Sequence, residues 1–447
     1  MTFTTKLLPS VRSNHMGVIT LNNPKALHAL TLDMIDAMND TFSEWLSPSP
    51  SSSSSSSGVI RSILIKPKND HTKRSAFCAG GDVKTLCEIS ASSSSSSSSS
   101  STPATTTLEK DFFYQEYKTN YTIATCPIPI ISLWDGVVFG GGVGISIHGK
   151  YRVATEHTLF AMPETAIGLY PDVGGMWFLP RIMTSTTTTT TTTPTTAVTH
   201  PNPIANYLAL TGQRIGPADL LYSGLATHYV PSDRLAELEE ALANATATSA
   251  STSPTTKGPS SSTNSGESTD DVDTAIGRVL DSFHESIPTQ DCHLVTNKER
   301  IEKFFTEDAV EDIFSNLTAA VEESNDSHDE SDVEFATSTL KILRKMSPTS
   351  LKLTLEGLRR GASCRSIGED LKMEYRMSAA CLRPNSDFFE GVRAMLVDKD
   401  RSPKWNPPTV EEVTTEMVEE FFAPIRGGDY EWEETSQPST VTSPSKL

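Results

Sequence analysis

An α/β fold with a mainly parallel sheet and a helical C-terminal region is predicted by three features of the 447-residue sequence. Apolar runs of strand length alternate with helical periodicities through the first half, and strand–helix alternation implies crossovers and parallel pairing. Beyond about residue 297 the periodicity is helical throughout. The homopolymer-like tracts at 51–57, 92–101 and 184–193 fall between these elements and not inside them. Such tracts bury too little apolar surface to offset their ordering entropy, and loops absorb inserts because closure entropy grows slowly with length.

The elements follow in order. Residues 17–21, Gly-Val-Ile-Thr-Leu, read as a buried strand ended by Asn22-Asn23-Pro24. Residues 31–45 read as an amphipathic helix, with Thr31 as N-cap and Leu32, Ile35, Met38 and Phe42 at helical spacing. A second buried strand spans 59–65, helices are expected over 82–89 and 108–124, and a third strand covers 128–133. That strand leads into the Gly140–Gly144 turn and a short helix to His148; 151–154 and 158–161 read as short strands. The later helices are expected over 298–305, 309–317, 336–346, 348–360, 366–382 and 386–397, with Pro348 at a first helical position. The predicted organisation is a catalytic core over 11–235 with insertions near 47–57, 90–107 and 184–200. A mostly loose polar linker over 236–296, a helical region over 297–425 and a flexible tail over 426–447 complete it.

The charge balance is acidic, 56 Asp and Glu against 37 Lys and Arg, net −19. That argues against nucleic-acid binding, which needs a basic face, while a local basic patch could still take an anionic ligand. The six cysteines show no Cys-x-x-Cys pair, so neither a zinc site nor a disulfide framework is expected, and a reducing compartment suits them. No apolar run qualifies as a membrane span, and any transit peptide at the N-terminus is expected to be very short. The last three residues, Ser445-Lys446-Leu447, spell the receptor-read peroxisomal address, so peroxisomes and their import receptor are the expected destination and partner.

The chemistry centres on two acids in apolar surroundings, Glu164 and Asp172, eight residues apart and each preceded by proline. A carboxylate so placed is costly unless it is paired or working. Upstream lie two glycine turns, each between a strand and a helix: Cys78-Ala79-Gly80-Gly81-Asp82 and Gly140–Gly144. A glycine turn at a helix N-terminus presents free N–H groups that suit a phosphate, a carboxylate or a developing oxyanion equally. His148, His157 and His228 have no ligand-like spacing and read as structural.

These residues carry a resemblance. Ser75–Asp82, the Gly140–Gly144 block and Phe160-Ala-Met-Pro-Glu164 resemble the crotonase (enoyl-CoA hydratase/isomerase) superfamily. The stretch from Ala161 to Gly175 resembles, almost letter for letter, the branch of it that hydrolyses 3-hydroxyisobutyryl-CoA. So do Lys345–Lys352, Met373-Glu-Tyr-Arg376 and Glu390–Asp400. The likeness covers residues 11–425 apart from the insertions. It implies a spiral of ββα units holding a CoA thioester, with the N–H groups of Gly81 and Gly141 as the oxyanion hole. It further implies Glu164 and Asp172 as the catalytic pair and Glu116 in the substrate pocket. Lys25, Ala26, Leu27 and Ala79 would touch CoA, although His28 and Asn23 depart from the superfamily pattern there. No cofactor or metal is implied beyond the CoA of the substrate. The implied reaction is thioester hydrolysis in valine breakdown, with 3-hydroxypropionyl-CoA as a further substrate and mitochondria as the alternative location. Rival readings are an enoyl-CoA hydratase or isomerase and an inactive CoA-binding protein. Hydratases resemble this chain at Glu164 but carry a second Glu where this chain has Gly144; here the second acid stands at 172. Glu164 would either attack the carbonyl to give a mixed anhydride or activate water.

Overall fold

β-Strands turn successive side chains to opposite faces, so a strand apolar at every position must be covered on both sides. Residues 7–11, 15–47, 59–68, 75–87, 112–182, 202–248, 271–322 and 330–425 are described in a computed structural model of the chain. The serine and threonine tracts, residues 249–270 and Ser445-Lys446-Leu447 lie outside the described residues.

The strands are β1 (Leu7–Val11), β2 (Met16–Leu21), β3 (Ser62–Pro67), β4 (Ala76–Cys78), β5 (Ile130–Trp134), β6 (Val137–Phe139), β7 (Tyr151–Ala154), β8 (Leu159–Ala161) and β9 (His228–Tyr229). A six-stranded sheet runs β1-β2-β3-β5-β7-β9 and a three-stranded sheet runs β4-β6-β8. Three successive units, β3 with β4, β5 with β6 and β7 with β8, each give one strand to each sheet, so the chain advances as the expected spiral. Pairing is parallel except between β1 and β2, where Leu7 stands opposite Leu21. Strand β1 was not anticipated. It contains Pro9, which argues against a central strand but is tolerated at a sheet edge.

Alternation assigns the two faces of the larger sheet. Ile19, Ile63, Ile65, Ile130 and Trp134 face the main core, while Met16, Val18, Leu64, Ile131, Leu133 and Val153 face the other side. On the main-core side lie α1 (Leu32–Leu46), α2 (Tyr114–Ala124), α3 (Gly141–Ile147) and α4 (Gly175–Phe178). The other face is covered by α5 (Leu235–Thr248) and α6 (Val272–Phe283), through Leu238, Leu242, Ile276 and Leu280. This corrects the loose linker expected over 236–296. Both ends of that stretch are helical, and Leu235, Leu238 and Leu242, like Val272, Ile276 and Leu280, recur at helical spacing. The polar run between them masked the signal.

The helical region packs onto the core. In α7 (Pro348–Ser363) the Ser347 hydroxyl caps by accepting the Ser350 N–H at 3.0 Å, with proline at the first turn as expected. In α8 (Ile367–Cys381) Ser366 accepts the Glu369 N–H at 3.1 Å. Helix α8 lies against α2, with the Tyr114 and Tyr375 rings 6.4 Å apart, and so forms one wall around the acids. Cys78 and Cys381 are fully buried, and burial pushes the thiols of Cys78, Cys292 and Cys364 up to about 12 and that of Cys126 up to about 11. Among the described residues no helix is long and apolar enough to cross a membrane.

Candidate active site

Two backbone N–H groups meet where the glycine turns touch. Leu30 N–H donates to Gly80 O at 2.8 Å and Asp82 N–H to Leu30 O at 2.7 Å. This bridge flanks Gly81 and leaves the Gly81 N–H turned away from it. Gly141 opens α3, where the first amides have no intrahelical acceptor. A Cβ on Gly141 would stand 3.1 Å from the Gly81 nitrogen, so the two amides are neighbours. The same Cβ would lie 2.4 Å from Glu116 Oε1, and one on Gly140, at φ +46°, would lie 2.6 Å from Glu164 Oε1. The left-handed φ favours glycine at 140, and at 141 a Cβ would crowd the backbone amide of Gly81.

The expected residues thus come together. Glu164 opens a one-turn helix, Glu164–Ile167, after β8, and Glu116 projects from α2. Exposure is only 2% for Glu116, 5% for Glu164 and 4% for Asp172. Burial, then the charges of Asp172 and Glu116, hold Glu164 well above the usual carboxylate range; burial and the Asp172 charge do the same to Glu116. Burial lifts Asp172 to about 7, against the opposing pull of a hydrogen bond from Tyr117. Three acids this close and dry titrate as a coupled set, each resisting ionisation while its neighbours are charged. Glu116 Oε1 and Glu164 Oε2 are buried without a hydrogen-bond partner, an arrangement that is costly until a polar ligand meets them.

Sequence reasoning missed the residues behind the acids. Tyr117 O–H donates to Asp172 Oδ2 at 2.9 Å and lies 2.7 Å from Ser378 Oγ. Ser378 also reaches the Tyr170 hydroxyl at 2.8 Å, and that hydroxyl donates to Glu374 O at 2.5 Å. Glu374, fully buried on α8, accepts the N–H groups of Gly174 at 2.7 Å and Met176 at 2.9 Å. Between Asp172 and Gly174 stands Val173 at φ +56°, a conformation strained for a β-branched residue by about 1–2 kcal/mol. His148 is structural, as expected: burial lowers it to about 4, so the ring is neutral, and its Nε2 lies 2.8 Å from Val173 O. The signals were present. Tyr117 adjoins Glu116, and Glu374 sits in the Met373–Arg376 motif, but neither pattern reveals its partner.

Gly144 shows why its side chain is missing. A Cβ there would stand 2.5 Å from Val173 Cβ and 2.9 Å from Asn120 Nδ2. The turn expected to touch CoA is laced to the Gly80-Gly81 turn by Ala79 N–H donating to Leu27 O at 3.0 Å, and it carries Lys25 and Ala26 exposed. The two departures noted there support each other: Asn23 N–H donates to His28 Nδ1 at 3.0 Å, and Asn23 Nδ2 to Ala29 O at 3.1 Å. Burial lowers His28 to about 4, which keeps that nitrogen an acceptor.

Comparison with known proteins adds the following. The family model described as enoyl-CoA hydratase/isomerase matches residues 16–422. A Gallus gallus protein named 3-hydroxyisobutyryl-CoA hydrolase, mitochondrial, is 38% identical over 416 residues, 92% of this chain and 88% of the relative. The Homo sapiens protein of the same name is 38% identical, over 92% and 87% of the two chains. Among solved structures, a carnitinyl-CoA dehydratase from Mycobacterium thermoresistibile is similar with a TM-score of 0.70 and 29% identity, over 95% of this chain and 98% of that one. An enoyl-CoA hydratase from Rhodobacter sphaeroides is similar with a TM-score of 0.70 and 28% identity, over 94% and 98%.

Proposed function

The chain belongs to the enoyl-CoA hydratase/isomerase family, and we infer that it hydrolyses the thioester of 3-hydroxyisobutyryl-CoA to 3-hydroxyisobutyrate and CoA, a step of valine breakdown. The relatives' names support the substrate. The observation that carries the reaction type is the position of the second acid. It stands at Asp172 beside Glu164, while Val173 and Asn120 fill the space above Gly144 from which a hydratase-like acid would project. The similar carnitinyl-CoA dehydratase and enoyl-CoA hydratase share the scaffold, so the acids, not the fold, decide the chemistry.

The Gly81 and Gly141 N–H groups receive the thioester oxygen as it becomes negative; one such donor is typically worth about 10²–10³ in rate. Glu164, in its ionised form, attacks the carbonyl carbon or takes a proton from water that does so. The C–S bond breaks, and the departing thiolate needs a proton. In the general-base route it takes the proton that Glu164 drew from water, and in the covalent route one from the coupled buried acids, which water's proton restores when the anhydride opens. By the covalent route, water then opens the Glu164 anhydride and returns the carboxylate. Asp172, oriented by Tyr117, receives the 3-hydroxyl, with Glu116 beside it. The same pocket would accept 3-hydroxypropionyl-CoA, which lacks one methyl group. Lys25, Ala26, Leu27 and Ala79 form the rim proposed to meet CoA, and the reaction draws on no cofactor.

Thiol release from 3-hydroxyisobutyryl-CoA, run beside crotonyl-CoA, tests this: release from the first and no hydration of the second are expected. Hydration of crotonyl-CoA without thiol release from the hydroxy ester would refute it. Glu164→Gln is expected to lose turnover and keep CoA binding. In a single turnover in heavy-oxygen water, label in the Glu164 carboxylate marks the anhydride route and its absence rules that route out. For location, relatives are named mitochondrial; the terminal Ser445-Lys446-Leu447 supports import into peroxisomes instead. A fluorescent fusion that masks Leu447 and still enters peroxisomes would count against that.

A further inference from the structure

We propose that Glu374 is a positioning residue: it clamps the strained turn after Asp172 and so sets where the Asp172 carboxylate sits. The inference rests on the hydrolase reading above. The turn has two consecutive left-handed residues, Val173 at φ +56° and Gly174 at φ +84°. Glycine adopts this conformation freely; valine does so only where its surroundings force it. Three contacts supply the force. His148 Nε2 holds Val173 O at 2.8 Å, and both carboxylate oxygens of Glu374 are used, Oε2 on Gly174 N–H at 2.7 Å and Oε1 on Met176 N–H at 2.9 Å. Gly175 N–H closes the turn on Asp172 O at 2.9 Å.

The same helix grips Asp172 from its other side. Ser378, one turn after Glu374, contacts Tyr117, whose hydroxyl holds the Asp172 carboxylate. Backbone and side chain of Asp172 therefore refer to one rigid element, α8. A side chain that costs so much to bury would be replaceable by an apolar one if it only filled space. Glu374 is fully buried, and neither of its oxygens is spare. Burial, then the charges of Asp370 and Asp172, push Glu374 well above the usual carboxylate range, and the N–H groups of Gly174 and Met176 pull against that rise, so these two bonds are what the buried carboxyl gains by its position.

The test is a double-mutant cycle on the full chain with 3-hydroxyisobutyryl-CoA, reading kcat, KM and Tm. Glu374→Gln turns an N–H toward an N–H and releases one end of the turn. The expected loss in kcat is about 100-fold, the scale of an ångström-sized misplacement, with KM within about twofold. In a Val173→Gly background, where the turn needs no force, the same substitution is expected to cost less than about tenfold. An equal cost in both backgrounds, or a raised KM with unchanged kcat, overturns the proposal. If Glu374→Gln does not fold, Glu374→Asp is read by the same split, and an unchanged kcat there overturns it as well. Absence of thiol release by the wild-type chain would instead sink the hydrolase reading, so the two failures are told apart.

Discussion

Replacing Tyr117 by phenylalanine deletes one oxygen and keeps the ring, so its packing against Phe113, at 5.9 Å between centroids, survives. The lost oxygen is the donor to Asp172 Oδ2 at 2.9 Å. Burial and neighbouring negative charge hold the phenol far above its ordinary range, so it stays protonated and donates. A hydrogen bond to a charged group contributes about 1.5–3 kcal/mol. At ~1.36 kcal/mol per pH unit that corresponds to about one to two units. Asp172, at about 7 with the bond in place, should therefore titrate at about 8–9 without it. At pH 7 the ionised share falls from about half to about 1–10%, and turnover should fall about 5- to 50-fold. The loss should disappear as pH rises past the new midpoint. Thiol release measured from pH 5.5 to about 10 reads this directly. A Tyr117→Phe profile with an unmoved acid limb, or a loss of equal size at every pH, would refute the reasoning.

Asp172→Asn should abolish hydrolysis and stabilise the fold. The folded carboxyl titrates at about 7 against an ordinary 3.8, so its ionised form costs stability at high pH. At ~1.36 kcal/mol per unit the gap corresponds to about 4 kcal/mol above pH 7. The Tm advantage of the variant should be full at pH 8 and vanish as pH falls from 7 toward 4. Gly144→Glu should not gain crotonyl-CoA hydration, because Val173 Cβ and Asn120 Nδ2 stand within 2.9 Å of the new Cβ. A drop in Tm is the expected reading, and measurable hydration would contradict the steric account.

What the sequence disclosed depended on range. The glycine turns and the two acids were legible because each motif is contiguous, and the fold class followed from strand–helix alternation. The pairing of Glu374 with Gly174 spans 200 residues of chain, and that of Tyr117 with Ser378 spans 261, so no local pattern encodes either. Helices α5 and α6 were lost for a different reason: a low-complexity run separated two short periodic segments and lent them its composition. Strand β1 was hidden by Pro9, whose cost depends on an edge position that only the sheet discloses.

The burial of Cys78, Cys292 and Cys381, and the partial burial of Cys126 and Cys364, bear on the enzyme's own product. Every proposed turnover frees CoA, a thiol that exchanges with any disulfide or accessible thiolate it meets. With Cys78, Cys126, Cys292 and Cys364 titrating at about 11–12, and Cys381 held higher still by burial, these sulfurs are thiols and not thiolates at physiological pH. CoA and its oxidised forms are therefore not expected to be trapped as mixed disulfides at Cys78, three residues before Gly81, whose N–H would hold the thioester oxygen.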